Sequence, residues 1–129
     1  MKIHNHELFE VDANQIINMG GPYVCDLYMD TFLISNNVVV DNFIFNEKKN
    51  LLYFVKYYEG LKWQSDTYFT INSYHIETSV VNESNRHFIM VYLKKLINEN
   101  TMEIFLAFHD RNVSQRDIFD LQEGNFHML

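Results

Sequence analysis

In two segments of the chain, neither set of alternate positions is polar, and this pattern gives the first prediction about the fold. In Leu51–Tyr58 one set of alternate positions reads Leu, Tyr, Val, Tyr and the other Leu, Phe, Lys, Tyr. The segment His87–Leu96 is apolar on both faces in the same way. Because a half-buried strand shows one polar set of positions, both segments are predicted to be covered on two sides. Met102–His109 is closer to a simple in-and-out alternation.

Apolar runs recur about every seven to ten residues, a spacing typical of an antiparallel meander. Asparagine marks the breaks, since it caps turns through its side chain and tolerates left-handed backbone. Turns are predicted at 35–37, 46–50, 82–85 and 98–100. The predicted strands are Tyr23–Met29, Asn37–Phe45, Leu51–Tyr58, Thr67–Ile71, Tyr74–Val81, His87–Leu96, Met102–His109, Asp117–Leu121 and Phe126–Leu129.

Two further regions are predicted from capping and turn residues. Asp12 as N-cap, Gln15 at the third helical position and Gly20 as a stop indicate a two-turn helix. The C-terminal segment is compatible with a short helix opening at Ser114, but the favoured prediction is a hairpin around Gln122–Asn125. In a hairpin, the apolar residues Phe126–Leu129 can pack against a neighbouring strand. Without one, their side chains would be exposed to water.

Composition narrows the fold class. The chain has 129 residues, which is the usual size of one domain, and 16% of them are aromatic. Aromatic residues suit pleated, half-buried surfaces, while only 4 Gly and 1 Pro argue against long disordered arms. The predicted architecture is a single domain over residues 1–129, mainly β, built as an antiparallel sandwich or strongly curled sheet with one or two short helices.

Cysteine usage and hydropathy predict a cytoplasmic protein. Cys25 is the single cysteine, so it has no partner for an internal disulfide, and its place within a predicted strand favours an inert thiol. The first residues lack the charged-then-apolar pattern of a signal peptide. No window approaches the roughly 18 apolar residues of a membrane span, so no membrane association is expected.

The acidic residues are concentrated at the two ends of the chain. The net charge is −7, and residues 1–41 carry one lysine against six acidic residues. Residues 42–97 have a net charge of +2, and residues 98–129 a net charge of −4. Nucleic acid is a poor partner for such a chain, because phosphate binding needs clustered Lys and Arg. A basic protein is the better match, since opposite charges steer association.

An aromatic segment and six acidic residues are the candidate partner-binding positions. Tyr57, Tyr58 and Trp63 are residue types that anchor protein interfaces. A partner protein, or a helix packed back, is therefore expected to cover the face of the strand Leu51–Tyr58 that does not look into the core. The alternative is that Tyr57 is a core residue and Trp63 caps a sheet edge. An inhibitor of a basic protein would present its acids as one exposed patch, made of Glu7, Glu10, Asp12, Asp110, Asp117 and Asp120.

The chain contains no motif of an enzyme or of a cofactor site. His4 and His6, with Glu7, are the one metal-like grouping, but a site needs three or four ligands and no second cluster is present, so no metal is predicted. His75 and Glu77 alternate onto one face, yet a His beside a carboxylate indicates no reaction without a nucleophile and a cleft. No phosphate-binding or nucleophile-elbow motif occurs.

A single acidic, aromatic-rich domain without a catalytic motif resembles the small bacterial immunity proteins that accompany secreted toxins, including those of contact-dependent growth inhibition. The resemblance lies in general composition and implies a stoichiometric inhibitor that binds a basic toxin domain, often a nuclease. Two alternatives remain. One is a ligand-binding or hydrolytic β domain with a cavity lined by Tyr57, Tyr92, His75 and Glu77. The other is a subunit of a homo-oligomer that uses the aromatic strand as its interface.

Overall fold

A computed structural model of the chain describes residues 1–15, 22–60, 63–110 and 113–129. These residues are mostly β-strand and form two antiparallel sheets, so the prediction of a mainly β, sandwich-like fold is confirmed. Helical structure in the described ranges is limited to 3-10 turns at Val113–Gln115 and Glu123–Asn125. Nothing helical in these ranges has the length and apolar character of a membrane-spanning segment.

The strands of the described residues are β1 (Lys2–Ile3), β2 (His6–Gln15), β3 (Tyr23–Met29), β4 (Phe32–Asn46), β5 (Leu51–Gly60), β6 (Trp63–His75), β7 (Val81–Ser84), β8 (Tyr92–Asn98), β9 (Thr101–Phe105), β10 (Arg116–Asp120) and β11 (Phe126–Met128). The larger sheet has eight strands in the order β1-β2-β3-β4-β5-β6-β7-β11, and the smaller has three in the order β10-β9-β8. Consecutive strands pair in most of the larger sheet, which is the predicted meander.

The long strand β4 bends the larger sheet into two halves. Its first part pairs with β3 and its last part with β5, and the pairing with β5 shifts register between Val38 and Phe43. Asn37 and Asp41 have φ angles of 54° and 57°, in the left-handed region that Asn and Asp adopt more readily than most residues. Extra residues in one strand increase its bend, so β4 makes a corner at this point.

Each half of the bent sheet faces the other across a buried core, here called the second core. It joins residues of β1 to β4 with residues from one face of β5 and β6. Leu52 and Phe54 of β5 lie in it and are fully buried. The buried members are Ile3, Leu8, Cys25, Leu27, Met29, Ile34, Val38, Leu52, Phe54, Tyr74 and Ile76.

The opposite face of β5 and β6 packs against the smaller sheet, and this contact is the first core. Tyr53, Val55 and Tyr57 of β5 meet Leu93, Met102 and Ile104 there. The Asn42 side chain, at the β4 corner, donates to the Leu93 carbonyl and accepts from its N–H, at 3.3 and 3.2 Å. This amide therefore ties the bend of the larger sheet to the smaller one.

The double apolar pattern of β5 is explained by these two cores. Alternate side chains of one strand enter opposite cores, so neither face shows a polar set. The expectation that a partner protein or a packed helix covers the second face is corrected at Leu52 and Phe54. The first half of the same sheet covers them, because β4 folds it back.

The helix predicted from Asp12 is wrong over its described part. Asp12–Gln15 belong to β2, and Val11 and Asn14 pair with β3 on either side of a bulge. Asp12 has a φ of 57°, so its turn-forming tendency produces the bulge in place of a helix cap. The rest of the predicted helix, residues 16–20, lies outside the described residues.

Several predicted breaks fall inside strands. The turns at 46–50 and 98–100 are confirmed, but 35–37 lies within β4 and 82–84 lies within β7. The break predicted between Thr67–Ile71 and Tyr74–Val81 is wrong, since β6 continues through Asn72 and Ser73 to His75. The second predicted strand is itself divided, because residues 76–80 lie outside the strands and Val81 begins β7. In 87–91 only Phe88 makes a bridge, to Phe69, and β8 begins at Tyr92.

The predicted C-terminal hairpin is also wrong. β10 pairs with β9 in the smaller sheet, whereas β11 pairs with β7 at the edge of the larger sheet. The turn at Glu123–Asn125 therefore carries the chain from one sheet to the other. The apolar residues of this segment are sheltered in part by that crossing, since Phe119 and Leu121 are buried and Phe126 is half-buried against the first core.

Candidate functional site

The predicted aromatic site divides into three different environments. Tyr57 is 5% exposed and packs on Phe69 in the first core, so it is corrected to a core residue. Tyr58 is half-buried on the second face of β5, and its hydroxyl donates to the Glu83 carboxylate. Trp63 begins β6, but its side chain lies outside the described residues, so its role stays a prediction.

The predicted acidic residues near the N-terminus all lie on β2. Glu7 and Asp12 are half-buried and exposed, respectively. Glu10 accepts a hydrogen bond from the Asp41 backbone N–H at 2.6 Å, so its carboxylate supports the corner of β4. The same carboxylate faces Cys25, and burial followed by the nearby Glu10 charge raises the pKa of this thiol to about 12. Glu10 is therefore a structural residue as well as a surface charge.

The other three predicted acids lie on or beside the smaller sheet. Asp110 accepts from Lys94 at 2.6 Å, and Asp117 accepts from Arg86 at 3.2 Å. Asp120, at the end of β10, accepts from the Gln122 backbone N–H at 3.0 Å. β2 and β10 belong to different sheets, so the six residues are placed in two groups rather than along one pair of strands.

The outer face of β2 to β4 carries an exposed apolar row that sequence reasoning missed. Phe9 pairs with Tyr28, and Tyr28 pairs with Leu33, so the three side chains lie side by side on one face. Phe9 is 46% and Leu33 44% exposed, and Tyr28 is half-buried between them. The residues on the opposite face of these strands, such as Leu8 and Leu27, are buried in the second core.

Acidic residues flank this row. Glu7 and Val11 are two positions either side of Phe9, so they share its face, and Asp26 pairs with Val11. We call these six residues the β2–β4 surface: Glu7, Phe9, Val11, Asp26, Tyr28 and Leu33. The alternation of acid and apolar residues in "ELFEV" was the available signal, but a helix was predicted just after it and no strand was assigned there.

A buried carboxylate lies beside Tyr58, near the C-terminal end of β5 and on its second face. Glu83, on β7, accepts from the Tyr58 hydroxyl and from Thr70 Oγ1 at 3.1 Å, and its second oxygen lies 3.2 Å from His127 Nε2. Burial, and then Glu83, raise the pKa of Tyr58. The ring stack of Tyr58 on Tyr68 and of Tyr68 on His87 continues this polar cluster to the surface.

Strand β11 is fixed in place by this carboxylate. Besides its contact with Glu83, His127 is bonded through Nδ1 to Asn85 Oδ1 at 2.7 Å. Lys56 lies on the same face, where its ammonium donates to Ser35 Oγ at 3.0 Å and burial lowers its pKa. The Glu83 carboxylate contacts Tyr58 on β5, Thr70 on β6 and His127 on β11, so it links these three strands to β7.

A cleft of about 670 Å³ opens on the first face of β5 to β7, at the end away from Tyr58. Of the four residues predicted to line a ligand cavity, only His75 lines it. Tyr57 is in the core, Tyr92 is on β8, and Glu77 accepts from the Asn50 side chain at 3.0 Å. The cleft is lined by Lys49, Leu51, Tyr53, Ser73, His75, Thr78, Val80, Asn82, Leu121, Glu123 and Phe126.

The histidines of the N-terminal segment are separated by their packing. His6 Nδ1 is 2.7 Å from Asp30 Oδ2, while the His4 ring packs edge-on against Phe45. Across the described ranges, no three His, Cys, Asp or Glu side chains are grouped as a metal site would require. The two imidazoles therefore make separate contacts, His6 with the Asp30 carboxylate and His4 with the Phe45 ring.

No protein-family model matches the chain, and no curated protein or solved structure is significantly similar to it. Functional inference therefore rests on the geometry of the described residues.

Proposed function

We propose that the protein is a non-catalytic binding module, a stoichiometric inhibitor of a basic protein domain such as a nuclease toxin. The observation that carries this proposal is the β2–β4 surface, where an apolar row on a rigid sheet is flanked by acidic residues. The resemblance in composition to immunity proteins favours the same function. Burial of the partner's active surface would provide inhibition without a catalytic group.

The apolar row has the composition of an interface centre. Phe9, Tyr28 and Leu33 stand on adjacent strands, and the second core fixes the opposite face of those strands. Binding energy concentrates in a few rigid aromatic and aliphatic side chains that lose water on contact. Phe9 and Leu33 stay almost half exposed in the free chain, so a partner can still remove them from water.

The acidic residues give the proposal its partner class. Glu7 and Asp26 share the face of Phe9, and residues 1–41 as a whole have a net charge of −5. Acidic residues on one surface and basic residues on its partner raise the association rate and disfavour acidic competitors. Their effect on affinity is smaller. A basic protein surface with an apolar centre is therefore the complementary partner.

The test begins with capture of the tagged protein co-expressed with the products of its neighbouring genes, at low and high salt. A captured basic partner is then purified, and its affinity is measured by calorimetry against wild type and the double variant Phe9→Ser, Leu33→Ser. Ile89→Ser is the matched control, because Ile89 is 82% exposed and lies outside the β2–β4 surface.

A one-to-one complex that the double variant weakens at least tenfold, with Ile89→Ser unchanged, supports the proposal. The association rate should fall as salt is raised, since screening weakens steering. A complex unaffected by the double variant contradicts the assignment of this surface. A wild-type dimer that the double variant makes monomeric would assign the surface to a second copy of the chain instead.

A further inference from the structure

A second cavity opens on the second face of β5, where the two halves of the bent sheet separate beside Lys56. We call it the Lys56 groove. Residues 33–36 of β4 form one wall, and residues 79–81 with Met128 and Leu129 form the other. Its volume is about 470 Å³, which is within the range of small-molecule sites. Lys56 follows Phe54 on its face of β5, so the groove lies at the end of the second core.

Lys56 carries the one charged side chain among the described residues that line the groove. Its ammonium donates to Ser35 Oγ at 3.0 Å and to Asn36 Oδ1 at 3.3 Å, and both acceptors are neutral. An ammonium has three hydrogens, so one remains for a further acceptor. The ring of Tyr58, 5.4 Å from the nitrogen, adds a weaker attraction. No ion pair of the described residues includes Lys56, so no anion is in contact with its charge.

The charge of Lys56 is only partly balanced within the fold. Burial lowers the pKa of this ammonium, because a buried group is less stable in its charged form, and the Glu83 charge opposes the shift only in part. The Glu83 oxygens are themselves engaged, by the Tyr58 and Thr70 hydroxyls and by His127. An anion that contacted Lys56 from the groove would therefore stabilise the charged lysine.

Apolar side chains stand exposed on the walls of the groove. Leu33 is 44%, Met128 70% and Leu129 60% exposed, and the half-buried Val81 lines the same groove. An aliphatic chain that covered these side chains would remove apolar surface from water. The lining thus combines a single cation with apolar walls.

This combination selects one class of ligand. A cationic ligand would be repelled by Lys56. Phosphate groups are usually held by several charged or backbone donors, whereas the described lining offers one cation. A single carboxylate needs fewer donors, and an alkyl chain attached to it matches the apolar walls.

We infer that the Lys56 groove binds a small aliphatic carboxylate, whose anionic group contacts the Lys56 ammonium and whose chain lies along Leu33 and Met128. The inference does not rest on the proposed function, since Lys56 is not part of the β2–β4 surface. Leu33 belongs to both, so a ligand in the groove would border that surface.

The test uses hexanoate as the probe, at neutral pH and constant ionic strength. Acetate is the carboxylate without the chain, 1-hexanol is the chain without a charge, and hexylamine is the chain with a positive charge. Binding to the ¹⁵N-labelled full-length protein is followed by NMR chemical-shift changes. We expect saturable shifts at Asn36, Lys56 and Val81 with hexanoate. Each of the other three compounds should bind at least about tenfold more weakly, the loss expected when one charged hydrogen bond or the apolar contact is missing.

Replacement of Lys56 separates the charge from the shape of the groove. Lys56→Met and Lys56→Gln remove the charge, so both should bind hexanoate at least about tenfold more weakly, while their weak binding of 1-hexanol stays the same. Lys56→Arg keeps the charge and should retain hexanoate binding. Lys48→Met is the matched control, because Lys48 is exposed and lies outside the groove. Urea unfolding confirms that each variant compared is folded.

Three results would overturn the inference. The absence of a saturable shift with hexanoate shows that the groove is not a site for this class. Equal hexanoate affinity in wild type and in a folded Lys56→Met or Lys56→Gln variant shows that the ammonium contacts no ligand. Binding of 1-hexanol as tight as that of hexanoate shows adsorption to the apolar walls only.

Discussion

Replacement of Phe54 by alanine tests whether the chain itself covers the second face of β5. Phe54 is fully buried, and its ring lies among residues of β1 to β4 and of β6 in the second core. If the first half of the sheet folds back as described, removal of this ring leaves a cavity between the two halves. If a partner were needed to cover the ring, its removal would change the free energy of unfolding of the isolated protein very little.

The expected cost follows from the burial of the ring. Removal of a buried Phe side chain takes away roughly 150 Å² of buried surface, worth about 4 kcal/mol at 25 cal/mol per Å². Measured Phe to Ala changes in cores fall at about 3–5 kcal/mol, which includes the cavity. Phe9→Ala is the matched control. Phe9 is 46% exposed, so about half as much surface is lost and its cost should be about 2 kcal/mol.

Urea unfolding followed by circular dichroism gives both values. Domains of this kind have about 5–15 kcal/mol of stability, so Phe54→Ala should remain folded with a much lower midpoint. Phe54→Leu, with an expected loss below about 1.5 kcal/mol, provides a milder second point. A loss in Phe54→Ala of about 2 kcal/mol or less, no greater than that of Phe9→Ala, would show that the two halves of the sheet do not enclose this ring.

Two further predictions concern ionisable groups. Glu83→Gln should lower the free energy of unfolding by about 1–3 kcal/mol, since the carboxylate accepts hydrogen bonds from the Tyr58 and Thr70 hydroxyls. It should also lower the pKa of Tyr58, which Glu83 helps to raise. A spectrophotometric titration that finds the Tyr58 pKa unchanged would contradict this prediction. The Glu7 backbone N–H, and then His6, hold the pKa of Asp30 below its ordinary 3.8, so this stabilisation is present above pH 3.8 and is lost as pH falls through the lower folded value. Asp30→Asn should therefore be less stable than wild type near neutral pH, with a difference that shrinks in acid, and urea midpoints that differ equally at every pH would refute the assignment.

The strands that enter the cores were predictable from local pattern. Tyr23–Met29 and the start of β5 at Leu51 agree with the structure, because apolar alternation marks strands wherever both faces or one face are buried. The doubly apolar pattern of β5 also predicted cover on two sides correctly. What covers each side depends on the bend of β4, a long-range arrangement that no short window of sequence contains.

One physical cause of the errors is that turn-forming residues also serve inside strands. Asp12 and Asn37 take left-handed backbone at irregularities within strands, where a helix cap and a turn were predicted. The residues predicted to line a cavity divide in a similar way. His75 lines the cleft, whereas Tyr57 lies in the first core, because local alternation does not show which face of β5 the smaller sheet covers.

The double cover of β5 has a consequence for how this chain can change over generations. A substitution on β5 must suit one core or the other, and its neighbours on both sides must adjust with it. The exposed positions of the β2–β4 surface face solvent, so a substitution there does not have to fit a core. Single substitutions at Phe9, Val11 and Leu33 can therefore change the outer surface while the interior of the protein stays as it is.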